Sequence, residues 1–461
     1  HSSKNAMYNR KRVRMNMKHK RAVIVFTRVP VPGKTKTRLM PYFTPKQCEQ
    51  IHICLLRDMK RECEQAAADI FVCYTPEDKE KKIRKIFGKE AKYFPQRGED
   101  LGVRMYVAIE DVLKMGYDSC ILFGTDIPEL HSTDMENAFR VLETKDIVFG
   151  PTEDGGYYLV GMNAPHKEVF EKQSYGHASV MENTLAGLKE VGLQVGFIRE
   201  LSDIDRKEDV IAFRQKMREN SKLQKTQTGK YLMRTTKISI IIPIYNEETT
   251  ILAMKRQMEG LKDKCEVIFV DGGSTDRTLE LLGDTFPVYH SDKGKAAQMN
   301  VGAKNSHGDI LCFLHCDSEI PVTLVPEIRY VMKDHQAGCF GIAFHSKNFF
   351  MWTCRVISNH RIKDRKVMFG DQGIFVTREL FFEAGMFAEL PILEDYQFSL
   401  TLKEKGIRLG MARHRIYTSD RRFPDGTIPK LKLMWLMNRL RKMYRDGVPI
   451  EKIASLYKDV R

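Results

Sequence analysis

The sequence predicts an α/β protein made of two domains of related architecture in tandem. Three observations predict it. Residues 22–26 (AVIVF) and 238–242 (ISIII) are continuous apolar, β-branched runs, each followed by a loop with Pro and polar residues. Runs without alternation suit strands buried on both faces, as in a parallel sheet. Residues 121–128 (ILFGTDIP) and 310–321 (ILCFLHCDSEIP) each read as an apolar strand that stops at an Asp and soon reaches Ile-Pro. Open α/β sheets place ligand chemistry at the carboxyl ends of their strands, so Asp126 and Asp317 stand where chemistry is expected. Finally, this grammar occurs twice in 461 residues, a length that suits two domains or more.

The expected layout is a basic N-terminus over residues 1–20, a first domain over 21–219, a linker over 220–236 and a second domain over 237–461. The string HSSKNA before Met7 reads as a tag remnant, and the basic stretch after it lacks the apolar core of a secretory signal. Residues 214–236 turn from helical to polar and linker-like. The charged fraction of 29% and hydrophobic fraction of 42% are those of a folded soluble protein. A net charge of +15 suits phosphorylated substrates, an anionic membrane or nucleic acid, or simply a solvated basic surface. No zinc finger, RNA-recognition string or aromatic-interleaved basic patch appears, so no nucleic-acid partner is expected. The ten cysteines contain no CxxC and read as reduced, mostly buried thiols of a cytoplasmic protein. No run of about 18 apolar residues occurs, so no spanning helix is expected.

In the first half, the loop after the opening strand runs RVPVPGKTKTRL over 28–39. Gly33 with Lys34, Lys36 and Arg38 would cradle a diphosphate or triphosphate, or form a basic surface turn; the Walker A spacing is absent. Asp126 ends a strand, and Asp205, with Asp203, lies past the last one. Asp126 and Asp205 converging on one metal would suit phosphoryl chemistry, whereas Asp203 and Asp205 also suit a helix cap. In the string GPTEDGGYY over 150–158, Gly155 and Gly156 beside Asp154 would let the backbone approach a sugar or base closely.

In the second half, PIYNE (243–247) follows the first strand and DGGSTD (271–276) the second. An acid at a strand end accepts hydrogen bonds from a ribose or a base, or closes an Asx turn. The loop DKGKAAQMN (292–300) suits phosphate oxygens. Asp317 after His315 would hold Mg²⁺ or Mn²⁺ on a diphosphate, or cap a helix. Glu394 and Asp395 offer a general base for an acceptor hydroxyl, or simply acids at a helix start. Residues 430–445 mix apolar and basic positions at helical spacing; such a helix packs on its own domain, pairs subunits or lies on an anionic membrane.

The ordered strings IIIPIYNEE, VDGGSTDRT, KGKAAQMN, FLHCDS, FGDQGIFV, ILEDYQFS and TSDRRF resemble the family-2 glycosyltransferases, and within them the radical-SAM/selenodomain-associated transferase 2 branch. The resemblance covers nearly all of residues 237–461. It implies a GT-A (nucleotide-diphospho-sugar transferase, Rossmann-like) fold, an inverting mechanism, a Mg²⁺ or Mn²⁺ ion on Asp317 and Asp395 as base. It also implies donor contacts from Pro243, Tyr245, Glu247, Asp271, Lys295, Gln298, Asp371, Gln372 and Arg421. The QxxRW string and membrane helices of processive polysaccharide synthases are missing, which argues against a long polymer. In the first half, PGxxKTRL and DGGYYL resemble the radical-SAM/selenodomain-associated transferase 1 family, over about residues 20–215. That family looks distantly like GT-A nucleotidyltransferases that guanylylate phospholactate or the molybdenum cofactor. Their usual strand-end string is nearer GSDCP; here it is GTDIP, with the Asp kept.

The resulting expectation is a metal-dependent glycosyltransferase fused to a nucleotidyltransferase-like domain. Two glycosyltransferases acting in sequence, or one catalytic domain beside a scaffold, are the alternatives. The expected partners are a nucleotide-diphospho-sugar donor and a small-molecule or lipid-linked acceptor, with peripheral contact at the inner membrane face if the tail helix meets it.

Overall fold

The computed structural model describes residues 19–171, 180–345, 349–418 and 427–458. The chain divides into two compact units, residues 1–232 and 233–461. Within the segment expected as linker, Ser221–Lys225 and Gln227–Arg234 are helical. The carboxylate of Asp58 accepts hydrogen bonds from the backbone nitrogens of Gln227 and Thr228, at 2.7 and 2.8 Å, which ties the start of the second of these helices to the first unit.

Unit 1 contains β1 (Arg21–Arg28), β2 (Asp69–Thr75), β3 (Lys92–Pro95), β4 (Ser119–Gly124), β5 (Ile147–Pro151), β6 (Tyr157–Met162) and β7 (Val195–Phe197). Unit 2 contains β8 (Ile238–Ile244), β9 (Glu266–Asp271), β10 (Val288–His290), β11 (Ile310–Phe313), β12 (Ala337–Ala343), β13 (Ile374–Thr377) and β14 (Leu409–Tyr417). The first sheet is ordered β3-β2-β1-β4-β6-β5-β7 and the second β10-β9-β8-β11-β13-β12-β14. Adding seven to each strand number of the first order gives the second, so the two units share one topology. In each, the sixth strand alone runs antiparallel to its neighbours. These two mixed seven-stranded sheets are tandem GT-A-like domains, the fold class the sequence predicts.

The unbroken apolar runs have the physical cause inferred for them. Successive residues of a strand point to opposite faces. Val23 and Val25 enter one core while Ala22 and Ile24 enter the other. Ile240 and Ile242 part from Ile241 in the same way. The helices packed on the sheet come close: a Cβ on Gly302, in the helix Lys295–Asn305, would stand 2.4 Å from a methyl of Ile241. Nine of the ten cysteines, all but Cys354, are described as free thiols, and burial pushes several of them upward, Cys73 to about 12 and Cys265 to about 11.

Candidate functional site

The topology brings the sequence motifs to one edge of each sheet. All strands but the sixth run one way, so their carboxyl ends share an edge, and the antiparallel sixth strand begins there. Hence Asp154, Gly155 and Gly156, which precede β6, and Asp371 and Gln372, which precede β13, arrive beside the strand-end acids.

Asp126 and Asp317 are equivalent positions. Ile24 pairs with Leu122, and Ile241 with Phe313. Each pair lies in the core beneath one helix, with Met105, Ala108 and Ile109 in unit 1 and Ala296, Met299 and Ala303 in unit 2. Asp126 lies four residues beyond Leu122, and Asp317 four beyond Phe313.

In unit 2 the loops after β8 and β9 are stitched together. Asn246, at φ 51°, donates its backbone N–H to Ser274 Oγ at 3.0 Å, and its side-chain oxygen accepts from Thr275 N at 2.8 Å. The Glu247 nitrogen donates to Thr278 Oγ1 at 2.7 Å. Asp271 is 2% exposed, and its carboxylate accepts from Gly273 N and Ser274 N at 3.0 and 3.1 Å. The Asx-turn reading of Asp271 therefore describes its side chain. His290 lies 3.5 Å from the same carboxylate, on its exposed side. Gln298 is also buried, and its amide nitrogen donates to the carbonyls of Ile244 and Val270 at 2.7 and 2.8 Å. Both of its N–H groups are spent clamping the ends of β8 and β9, so what it supports is the loops that follow those strands. Pro243 is likewise buried within β8. Tyr245 lies under Lys293, whose ammonium sits 4.1 Å from the ring centre. Lys295 opens the helix Lys295–Asn305 behind Gly294, at φ 153°.

Asp395 joins this edge through Gly370. Its backbone nitrogen donates to Asp395 Oδ2 at 2.7 Å, and a Cβ at Gly370 would stand 2.8 Å from His315 Nε2. Asp395, Gly370 and His315, two residues before Asp317, therefore converge. Glu394 and Asp395 form the first turn of the helix Glu394–Glu404, as the helix-start reading expects. Gln372 is fully buried; its side-chain oxygen accepts from Phe369 N at 3.0 Å, while its amide nitrogen has no partner. Asp371 is half-buried in the same turn. Arg421 lies outside the described residues. The tail helix Thr427–Arg445 packs on its own unit: Leu440 is buried with Leu393, Tyr396 and Ile453, and Arg445 donates to the Tyr396 hydroxyl at 2.6 Å.

In unit 1, Lys36 Nζ lies 2.7 Å from Asp126 Oδ1 and also donates to the carbonyl of Ile204. Arg38 pairs with Asp205 at 2.6 Å. Burial works to raise the Asp126 carboxyl, but the Lys36 ammonium, then His52, override it and hold it below the usual carboxylate range. Asp203, not Asp205, shares this field: burial, with Asp126 and Asp154 nearby, pushes its carboxyl up to about 6 against the pull of Lys36. Gly33 (φ 77°) and Lys34 are exposed at the tip of the loop. Gly155, at φ 84°, and Gly156 form a tight turn, where Thr152 Oγ1 and Gly156 N donate to Asp154.

One residue of this site was not foreseen. His52, 3% exposed on the helix Pro45–Cys63, holds Nε2 3.0 Å from the Arg28 carbonyl and 3.2 Å from Thr27 Oγ1. A carbonyl only accepts, so Nε2 carries the hydrogen there and Nδ1 of the neutral ring presents a lone pair. Burial pushes the imidazole below its ordinary value, which favours that neutral ring. Nδ1 lies 3.8 Å from Asp126 Oδ1 and has no hydrogen-bond partner. Among the described residues no group of three His, Cys, Asp or Glu side chains is arranged to hold a metal, and no helix is long and apolar enough to cross a membrane.

Residues 239–388 match the family model Glycosyl transferase family 2, and residues 59–177 match that of an uncharacterized protein conserved in bacteria, DUF2064. An uncharacterized glycosyltransferase of Haemophilus influenzae is 27% identical over 189 residues, 36% of this chain and 62% of that one. The probable glycosyltransferase YdaM of Bacillus subtilis is 31% identical over 117 residues, 22% of this chain and 28% of that one. The chain thus spans less than two thirds of the length of either relative. Among solved structures, a protein of Desulfovibrio desulfuricans G20, assigned without proof of activity to the nucleotide-diphospho-sugar transferases, is 28% identical at a TM-score of 0.44. That match covers 46% of this chain and 93% of the other.

Proposed function

We propose that unit 2 transfers a sugar from a nucleotide-diphospho-sugar to an acceptor hydroxyl, and that unit 1 is a second domain handling nucleotide or sugar phosphates. The carrying observation is the convergence of Asp395 with the Asp317 loop through Gly370. Asp395 is the general base: its carboxylate takes the acceptor's proton as the hydroxyl attacks the anomeric carbon and the nucleoside diphosphate departs, with inversion. Gly370 N–H fixes one oxygen of that carboxylate and Tyr396 N–H, at 2.6 Å, the other, so the base is oriented before the acceptor arrives. The Asx turn of Asp271 and the loops clamped by Gln298 shape the nucleoside side, with Tyr245, Glu247 and Lys295 along it; Asp371 and the buried Gln372 line the sugar side.

Asp317 suits Mg²⁺ or Mn²⁺, since such ions are held by one or two carboxylates plus substrate phosphates rather than by an all-protein cage. When bound, the ion would neutralise the charge that develops on the departing diphosphate. The acceptor is a small molecule or a lipid-linked sugar met at a membrane face, and the finer likeness to the radical-SAM/selenodomain-associated transferases belongs to the same reading. For unit 1, nucleotidyl transfer is the first reading. The shared strand order and the equivalence of Asp126 with Asp317 favour a second, in which both units transfer sugars in sequence. NTP turnover with a sugar 1-phosphate, releasing pyrophosphate, separates the two.

The test of unit 2 is nucleoside diphosphate release from a panel of nucleotide sugars with Mn²⁺ or Mg²⁺. Release that disappears in Asp317→Ala supports the reading. If no donor is hydrolysed, and none binds in a metal-dependent way by calorimetry, the reading fails.

A further inference from the structure

The strand-end acids of unit 1 are where a divalent cation was expected, on Asp126 with Asp205. One oxygen of each already faces a cation of the chain itself. Asp126 Oδ1 holds the Lys36 ammonium at 2.7 Å, and Asp205 holds Arg38 at 2.6 Å. Lys36 is no surface lysine resting on an acid: its side chain is 2% exposed. Its ammonium also donates to the Ile204 carbonyl, while the Ile204 nitrogen donates to the Asp126 carbonyl at 2.9 Å. The loop that follows Asp203 is thus folded over the lysine.

The approach of the chain is built for this placement. Lys36 takes a left-handed conformation, φ 54°, which costs a non-glycine residue energy and persists where the surroundings impose it. Thr35, buried beside it, accepts the Val31 N–H at 2.9 Å and closes the loop. The lone pair of His52 Nδ1 lies 3.8 Å from the same carboxylate oxygen and has no hydrogen-bond partner. Asp126 Oδ1 thus has the enclosed ammonium at 2.7 Å and the neutral His52 ring at 3.8 Å. A divalent ion on Asp126 would place two further positive charges against that buried one, and the donor set does not fit it.

We propose that Lys36 is the resident cation of the unit 1 site, and that unit 1 binds phosphate-bearing ligands without a divalent metal at Asp126. An ammonium has three N–H donors. Two are used, on Asp126 and Ile204, which leaves one for a phosphate oxygen that reaches this nearly enclosed ammonium past the exposed Lys34 and Arg38 at the loop's rim. This does not depend on the glycosyltransferase reading of unit 2.

The experiment is calorimetry on the full chain with inorganic pyrophosphate in EDTA, beside Mn²⁺ binding isotherms. Pyrophosphate binding that persists in EDTA and weakens at least tenfold in Lys36→Met, with an Mn²⁺ isotherm unchanged by Asp126→Asn, is the expected result. Pyrophosphate that binds only with added metal, or not at all in EDTA, overturns the proposal. So does loss of one Mn²⁺ site in Asp126→Asn. If Lys36→Met fails to fold, the Asp126→Asn isotherm, which leaves Lys36 in place, decides between the same two outcomes.

Discussion

The backbone nitrogen of Gly370 and the carboxylate of Asp395 lie 2.7 Å apart, across 25 residues of chain, with His315 packed against the same glycine. Only hydrogen fits at that Cα, because a methyl would meet the imidazole at 2.8 Å. Gly370→Ala should therefore cost about 1–3 kcal/mol of stability from overpacking. It should also reduce sugar transfer more than tenfold, by shifting the Asp395 loop. Thermal unfolding read beside kcat checks both, and full activity with an unshifted midpoint would show that the two loops are not coupled.

Asp395→Asn keeps an oxygen for Gly370 N–H and removes the basicity. We expect kcat to fall by roughly 10²–10⁴, the usual contribution of a positioned base, with donor affinity within twofold of the parent. A variant that lost donor binding instead would move Asp395 to the donor side.

Gln298→Leu removes the donors that hold the carbonyls of Ile244 and Val270. Buried groups left unsatisfied cost about 1–3 kcal/mol each, and Ile244 keeps one partner, Gly272 N at 3.0 Å. The expected outcome is a lower unfolding midpoint for unit 2 and a raised donor KM with kcat little changed. A variant as stable as the parent would show the clamp to be dispensable.

Asp203 supplies a pH test. Its carboxyl is raised to about 6 in the folded state, from an ordinary value of 3.8. The folded protein thus holds a proton there that the unfolded chain has released, and the stability linked to this group falls as pH rises from about 4 to 6. Asp203→Asn should unfold at a higher temperature than the parent at pH 7.5, and the difference should vanish near pH 4. An equal or lower midpoint at pH 7.5 would show that the acid is compensated.

The strands and their edge chemistry were legible because a buried parallel strand cannot hide: Ile238–Ile244 is buried at every position and apolar at all but Ser239, and the Asp that ends such a run stands out. Asp154 and Asp371 were legible as motif residues, but not the route by which each reaches the carboxyl edge of its own sheet, since that depends on the sixth strand turning antiparallel, which local pattern does not encode. His52 escaped for a different reason. It shares a helix face with Cys48, Ile51, Leu55 and Met59, so its spacing is that of an ordinary core residue, and only the tertiary fold sets its ring against Asp126. The loop motif KGKAAQMN drew attention to Gln298 without revealing that its amide points inward, because a polar residue on the buried face of a helix looks the same in sequence whether it meets ligand or backbone. Between Asp203 and Asp205, two positions apart in an extended loop, the sequence offers no distinction; the field of Lys36 and the partner Arg38 make it.

The repeated strand order has a consequence for how the polypeptide is made. The last strand of the first sheet ends at Phe197 and the first strand of the second begins at Ile238, so neither sheet borrows a strand from the other. On a ribosome adding roughly 5–20 residues each second, every hydrogen-bonding partner of the first sheet has emerged while the second is still unwritten. The first sheet can complete its own pairing within those seconds, before nascent strands of the same pattern and the same apolar character appear to compete for it.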